Sequence, residues 1–250
     1  MSVTRHQWTA SDGVDLVWDE LGDGRAMILL HGLFSNAEVN WIKFGHATAI
    51  AARGFRVIMP HLRAHGDSAK PQDAGSFPSG VLARDVAELI AHLGLTDYDL
   101  GGFSLGARTT VQAIGEGLRP RRALLGGMGY EGLQGWARRR QFFVDAIATA
   151  DSAARGDPHW LAIQFMKTMK IDRVAAGHLL NAFEDVDFAW LDAFTMPTLV
   201  VCGAEDQDNG SAPKLAAALP DASYVEVPGT HMSSVTKSDF GKAIADFLAQ

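Results

Sequence analysis

Short, largely apolar runs set off by helix-length stretches constrain this chain more than any other feature of its sequence. Ala26-Met27-Ile28-Leu29-Leu30, Phe55-Arg56-Val57-Ile58-Met59, Ala123-Leu124-Leu125 and Thr198-Leu199-Val200-Val201-Cys202 are each strand-sized, and they do not alternate with polar residues. A strand apolar on both sides belongs inside a parallel sheet covered by helices on both faces. Between and around these runs lie candidate helices at residues 37–52, 79–93, 105–117, 211–219 and 237–249. Residues 79–93 carry Val81, Leu82, Val86, Leu89, Ile90 and Leu93 at helical spacing. Further strands are expected at 14–18, 97–101 and 224–227. The expected fold class is α/β, a mostly parallel central sheet with helices on both faces. In such sheets sites form at the carboxyl ends of the strands.

The alternation stops between 130 and 195. Trp136, Phe142, Phe143, Trp160, Phe165, Met166, Phe183, Phe188 and Trp190 fall there among helix formers, with no strand-like run. The expected organisation is a core of residues 1–129 and 196–250, interrupted by a helical cap of residues 130–195 over the sheet's carboxyl edge. Each aromatic taken singly reads as core packing; only their shared position makes some of them pocket walls.

Bulk properties narrow the function classes. A chain of 250 residues with 29 acidic and 22 basic side chains carries a formal charge of −7. That disfavours a nucleic-acid partner, which needs a basic face. Arg138-Arg139-Arg140 reads as a solvated helix face. With a single cysteine, Cys202, no intramolecular disulfide forms. Its place in an apolar run makes it a small core residue. Neither an apolar leader nor a run of about 18 apolar residues stands out. The expectations are a cytoplasmic protein, a small-molecule substrate, no membrane partner, no cofactor and no metal. The oligomeric state is open.

Gly102-Phe103-Ser104-Leu105-Gly106 is the strongest chemical signal. The G-x-S-x-G string is common by chance, but here it follows a strand and opens a helix, as a nucleophile elbow requires. The tight turn holds the serine oxygen above the sheet at a helix N-terminus, where backbone N–H groups favour negative charge. A serine hydroxyl needs a base. Among nine histidines, His231 is the best placed: it follows the last strand, in Pro228-Gly229-Thr230-His231, before the last helix. The base in turn needs an orienting carboxylate. Asp206 is preferred in Ala204-Glu205-Asp206-Gln207-Asp208, with Glu205 and Asp208 as close rivals and Glu131 as a distant one.

The order Ser, Asp, His is that of the α/β-hydrolases, and the chain resembles a capped serine esterase of that family over nearly its whole length. His31-Gly32 resembles the family's oxyanion-loop motif. Ala64-His65-Gly66-Asp67-Ser68 resembles its R-G-H-G-x-S loop, with Ala64 in place of Gly, and His61 stands where the family often has Asp. Gly203-Ala204-Glu205-Asp206 resembles its G-x-x-D acid loop and favours Asp206 over Asp208. The resemblance implies an oxyanion hole from the Leu33 and Leu105 backbone N–H groups, with Phe34 as a substitute for the first. Phe34, Phe103, Trp136, Trp160 and Met232 are the expected substrate-binding side chains. His61, His65 and Asp67 match no metal-ligand spacing.

Three function classes follow. The first is hydrolysis of small, largely apolar carboxylic esters through an acyl-enzyme. The second is carbon–carbon, thioester or peroxide chemistry on the same three residues. The third is a small-molecule receptor with negligible turnover. An Asp-nucleophile dehalogenase or epoxide hydrolase is disfavoured by Ser at position 104.

Overall fold

A computed structural model describes residues 2–250. Eight strands form one sheet: β1 (Thr4–Thr9), β2 (Asp15–Leu21), β3 (Arg25–Leu30), β4 (Phe55–His61), β5 (Tyr98–Phe103), β6 (Ala123–Gly126), β7 (Thr198–Gly203) and β8 (Ala222–Val227). Their spatial order is β1-β2-β4-β3-β5-β6-β7-β8. The β1·β2 and β2·β4 pairings are antiparallel and all the others parallel.

The apolar runs become central strands because both of their faces are covered. Along β3, Met27 and Leu29 face one cluster, Ile28 and Leu30 the other. Helices α1 (His46–Ala51) and α9 (Ser238–Leu248) cover the first face. Helices α2 (Val81–His92), α3 (Leu105–Gly115) and α7 (Ala212–Ala218) cover the second. The remaining helices are α4 (Trp136–Ala148), α5 (Trp160–Thr168), α6 (Arg173–Ala182) and the four-residue α8 (His231–Ser234). Among the described residues no helix is long and apolar enough to cross a membrane.

The structure corrects the expected elements in three places. Residues 37–52 are not one helix: a π turn at Glu38–Ile42 is separated from α1 by Gly45 at φ 79°. Strand β1 was not expected; it is an edge strand that buries only Trp8, so it carries no apolar periodicity. The run Phe55–Met59 is two residues short: β4 continues through Pro60 to His61. Pairing with β3 stops at Ile58, so beyond it the strand pairs on the β2 side alone and tolerates a residue without an N–H.

Residues 130–195 hold α4, α5 and α6 and no strand, inserted between β6 and β7. Part of their apolar surface forms a cluster with Trp136, Ala146, Ile163, Met166, Ala176 and Leu180 packed with Phe34 from the loop after β3, while Ala175, Leu179 and Ala182 of α6 join the core cluster beneath.

Candidate active site

Strand β5 delivers Ser104 into a left-handed backbone conformation, φ 53° and ψ −108°. That region is costly for a residue with a Cβ and persists only where the surroundings hold it. Here the flanking glycines make the turn possible. A Cβ on Gly102 would collide with the Gly106 backbone, and one on Gly106 with the Leu30 carbonyl. The turn leaves Ser104 as N-cap of α3, only 9% exposed.

Two other loops meet it. Glu205 N–H donates to Gly229 O (3.0 Å) and Ala204 N–H to Val227 O (2.8 Å), so the loops after β7 and β8 are laced together by backbone. His231, at the start of α8, is fixed by a capping box between Thr230 and Ser233. Its Nε2 lies 3.1 Å from Ser104 Oγ and its Nδ1 2.8 Å from Asp206 Oδ2. The rival carboxylates do not reach it. Glu205 and Asp208 are exposed and neither hydrogen-bonds His231, although an Asp208 carboxylate oxygen lies within 4.8 Å of it, and exposed Glu131 pairs with Lys214 and the Ser211 N–H.

Asp206 is 6% exposed. Burial alone pushes its carboxyl upward, but the His231 hydrogen bond and charge, the Asp208 N–H (3.0 Å to Oδ1) and the Cys202 thiol (3.3 Å to Oδ2) overrule it and hold the group below the ordinary aspartate range. The Cys202 contact was not anticipated. Cys202 is buried with the core, as expected of a small apolar residue, yet its Sγ–H also donates to the oxygen that accepts from His231.

The turn after β3 is equally specific. Gly32 N–H donates to Asn40 Oδ1 (2.9 Å), Phe34 N–H to His65 Nε2 (2.9 Å) and Ser35 N–H to Gly32 O (3.1 Å). Among the described residues the Leu33 N–H has no acceptor, and neither has the Leu105 N–H at the head of α3. The Phe34 N–H, by contrast, is already committed to His65.

The loop of residues 61–68 supplies the support. His65 also donates from Nδ1 to Arg63 O (2.9 Å), and burial holds its pKa down at about 4, so the ring is neutral at pH 7 with its Nε2 lone pair facing Phe34. His31, in the same way, bonds Gly32 O (2.8 Å) and accepts from the Leu62 N–H (3.0 Å). His61 bridges Asp19 (3.0 Å) and the Asp67 N–H (2.9 Å), which gives the loop hydrogen bonds from a histidine where the resembled family often has a carboxylate. Ala64 takes φ 67°, so the replacement of Gly there carries backbone strain.

The expected substrate-binding residues divide. Phe34 is buried, its ring edge-on to Phe143 of α4, between the oxyanion loop and the helical segment. Met232 is 54% exposed beside His231. Phe103 packs behind His231: its ring lies 4.8 Å from the imidazole and also meets Phe240. Trp136 is spent on structure as well, its Nε1 donating to Leu180 O (3.1 Å) and its ring edge-on to Phe183. Trp160 is half-buried at the start of α5, and no contact brings it to Ser104.

One group of potential metal ligands exists among the described residues: Asp206, Asp208 and His231, with donor atoms within 4.8 Å of one another. The set fits an ion poorly. Coordination through Nδ1 would displace the proton that ties His231 to Asp206. The rings of His61 and His65 have both nitrogens committed to hydrogen bonds.

A family model described as the alpha/beta hydrolase fold matches residues 25–122. A non-heme haloperoxidase of Rhodococcus erythropolis is 27% identical over 227 residues, covering 80% of this chain and 81% of the relative. Among solved structures, a bromoperoxidase from Bacillus anthracis superposes with a TM-score of 0.78 at 19% identity, over 99% of this chain and 100% of that one. A thermophilic esterase from Thermogutta terrifontis gives 0.75 at 23%, over 98% of both.

Proposed function

This chain is an α/β-hydrolase-fold protein, and from that premise we propose that it is a serine hydrolase cleaving carboxylic esters of small, largely apolar substrates through an acyl-enzyme. The observation that carries the reading is the unbroken hydrogen-bonded line from Asp206 through His231 to Ser104, set beside two uncommitted backbone N–H groups.

In this mechanism His231 Nε2 takes the Ser104 hydroxyl proton as Oγ attacks the ester carbonyl. The developing oxyanion accepts from the Leu33 and Leu105 N–H groups, donors that need no rearrangement at the moment of reaction. Asp206 keeps the imidazole in the tautomer with Nδ1–H and stabilises the imidazolium. His231 then returns its proton to the leaving alcohol, and the C–O bond breaks. Water attacks the acyl-enzyme by the same route and releases the acid and Ser104. Residues 1–129 and 196–250 act as the catalytic core. Residues 130–195 act as the cap that selects the substrate. Their apolar cluster around Phe34 suits an apolar acyl or alcohol group.

The haloperoxidase relative favours one second reading, in which hydrogen peroxide replaces water and the acyl-enzyme yields a peracid. The test is turnover of p-nitrophenyl butyrate by wild type and Ser104→Ala, beside carboxylate-dependent bromination with peroxide. Loss of ester turnover by about 10⁵-fold or more in Ser104→Ala is expected, from what removal of a serine nucleophile costs elsewhere. Ester turnover within a few-fold of wild type in that variant would sink the reading. Bromination outrunning ester cleavage would replace it with the peroxide one.

A further inference from the structure

Two arginines are buried among the described residues, and they are used differently. Arg63 faces the carboxylates of Asp85 and Asp12, the ordinary way to bury a cation. Arg108 has no carboxylate in hydrogen-bond range; its guanidinium donates only to backbone carbonyls. Nη1 reaches Gly132 O (3.1 Å) and Leu133 O (2.9 Å), and Nη2 reaches Glu184 O. Gly132 and Leu133 lie where the chain leaves β6 for the helical segment, and Glu184 lies where it comes back. Arg108 itself sits on α3, one turn after Ser104.

The two stems are joined around this point. Val186 N–H donates to Leu133 O (2.9 Å), and Trp136 N–H to Asp185 Oδ1 (2.7 Å). The Arg108 guanidinium also lies 5.7 Å from the centre of the Trp136 ring. It is not placed to hold a substrate anion. The cavity it lines, with Leu105, Thr109 and Glu184, has a volume of about 10 Å³, which is space for a single water.

We propose that Arg108 is a positioning residue that clasps both stems of the helical segment to the nucleophile helix, and so sets how closely that segment covers Ser104. The planar fork suits the task, because one rigid group spans carbonyls from both stems. A lysine in its place supplies charge at a single point. The inference rests on the reading of Ser104 as nucleophile and of residues 130–195 as its cover.

The test compares wild type, Arg108→Gln, Arg108→Lys and Asp185→Asn by two independent measurements. Amide hydrogen exchange reads residues 130–136 and 180–187 against strands β5 and β7. Steady-state kinetics reads kcat and KM on p-nitrophenyl acetate, butyrate and octanoate. In Arg108→Gln both stems should exchange about 10- to 100-fold faster while the strands stay protected, the size expected for losing hydrogen bonds from a charged donor. KM for the preferred ester should rise by about ten-fold, with kcat on acetate within about three-fold of wild type, because the cover and not the nucleophile has moved. Arg108→Lys should fall between the two, and Asp185→Asn should shift both readouts the same way. If Arg108→Gln does not fold, the other two variants carry the same comparison. Faster exchange spread evenly over the molecule, or an equal fall in kcat on all three esters at unchanged KM, would overturn the clasp. The two readings fail separately: an inactive wild type defeats the hydrolase reading, whereas stems that keep wild-type protection defeat the clasp.

Discussion

The sheet edge and the helical segment above it are built to different tolerances. At the edge, Ser104, Asp206 and His231 stand on loops whose backbones are bonded to one another: Glu205 to Gly229, Ser104 to Gly126, Gly127 to Val201. Their side chains are buried and hydrogen-bonded. Residues 130–195 have a small core of their own and leave Phe142 39%, Leu161 76% and Val174 51% exposed. They are held to the core by polar links at the stems, by the contact between Phe34 and Phe143, and by apolar side chains on one side only: Ala175, Leu179 and Ala182 of α6, and Leu133, Val186, Leu191 and Phe194 of the stems, pack into clusters shared with α2, α3 and α7. Chemistry needs the first kind of construction, since displacement of a catalytic group by about 1 Å is costly. Under the proposed function, admission of a substrate would need the second, since a covering element has to move.

The largest test of this contrast is at the acid. Asp206→Asn should lower kcat by about 10⁴-fold, because an amide favours the wrong imidazole tautomer. Asp208→Asn and Glu205→Gln should stay within a few-fold of wild type, since both side chains are exposed and neither hydrogen-bonds His231. Single-turnover acylation of the three variants reads this directly. A crippled Asp208→Asn would mean that the edge is less rigidly indexed than its hydrogen bonds imply.

Acid should loosen the edge before it loosens the cover. Buried His65 has its pKa pushed down to about 4 from an ordinary 6.5. Below about pH 6.5 the unfolded ring takes up a proton that the native ring refuses until about pH 4, so stability falls as pH falls through that window. The full shift corresponds to at most about 3 kcal/mol, or roughly 300-fold in the folding equilibrium. Buried His31 is lowered too and acts with the same sign. Denaturant unfolding at pH 7 and pH 4.5 should show the loss in wild type and a smaller one in His65→Gln. At pH 5, amides of residues 31–35 and 61–68 should exchange faster before those of 160–182. The reverse order would break the contrast.

The cover is examined by substrate length. If its apolar cluster buries the acyl group, kcat/KM should climb about three- to four-fold per added carbon, from about 0.8 kcal/mol per buried methylene. The climb should end at about C4 to C8, the scale of an ordinary pocket. A p-nitrophenyl series from acetate to palmitate measures it. A flat series would mean that residues 130–195 do not touch the acyl chain.

The same division governs how much could be read from the sequence. The edge was legible because each of its parts is a short local pattern: an apolar strand, a glycine turn, then a polar residue. Ser104, Asp206 and His231 each follow that pattern, and the parallel sheet brings their strand ends together. Edge strand β1 was not legible because one buried residue makes no period. For Phe103 and Trp136 the sequence shows that an aromatic is present, not that one ring packs on the His231 imidazole and the other on Phe183. Arg108 offered no signal. A charged residue in a helix reads as solvated, and its partners lie 24, 25 and 76 positions away.

Cys202 is the finest test of how tightly the edge is set. Its Sγ–H is 3.3 Å from Asp206 Oδ2, the oxygen that also accepts from His231 Nδ1 at 2.8 Å. A thiol is a weak donor, yet in a buried site each donor to a carboxylate counts. Removing it leaves more negative charge on the oxygen facing the imidazole and favours the imidazolium. Cys202→Ala should therefore move the acid limb of the kcat/KM profile to higher pH, by about 0.3 to 0.5 units if the hydrogen bond is worth about 0.5 kcal/mol. The turnover rate should fall no more than a few-fold. Cys202→Ser keeps a donor and should bring the limb back, whereas a purely steric role would leave the serine variant no better than alanine. A limb that does not move in Cys202→Ala would mean that His231 and the Asp208 N–H alone hold Asp206, and that the thiol is only core filling.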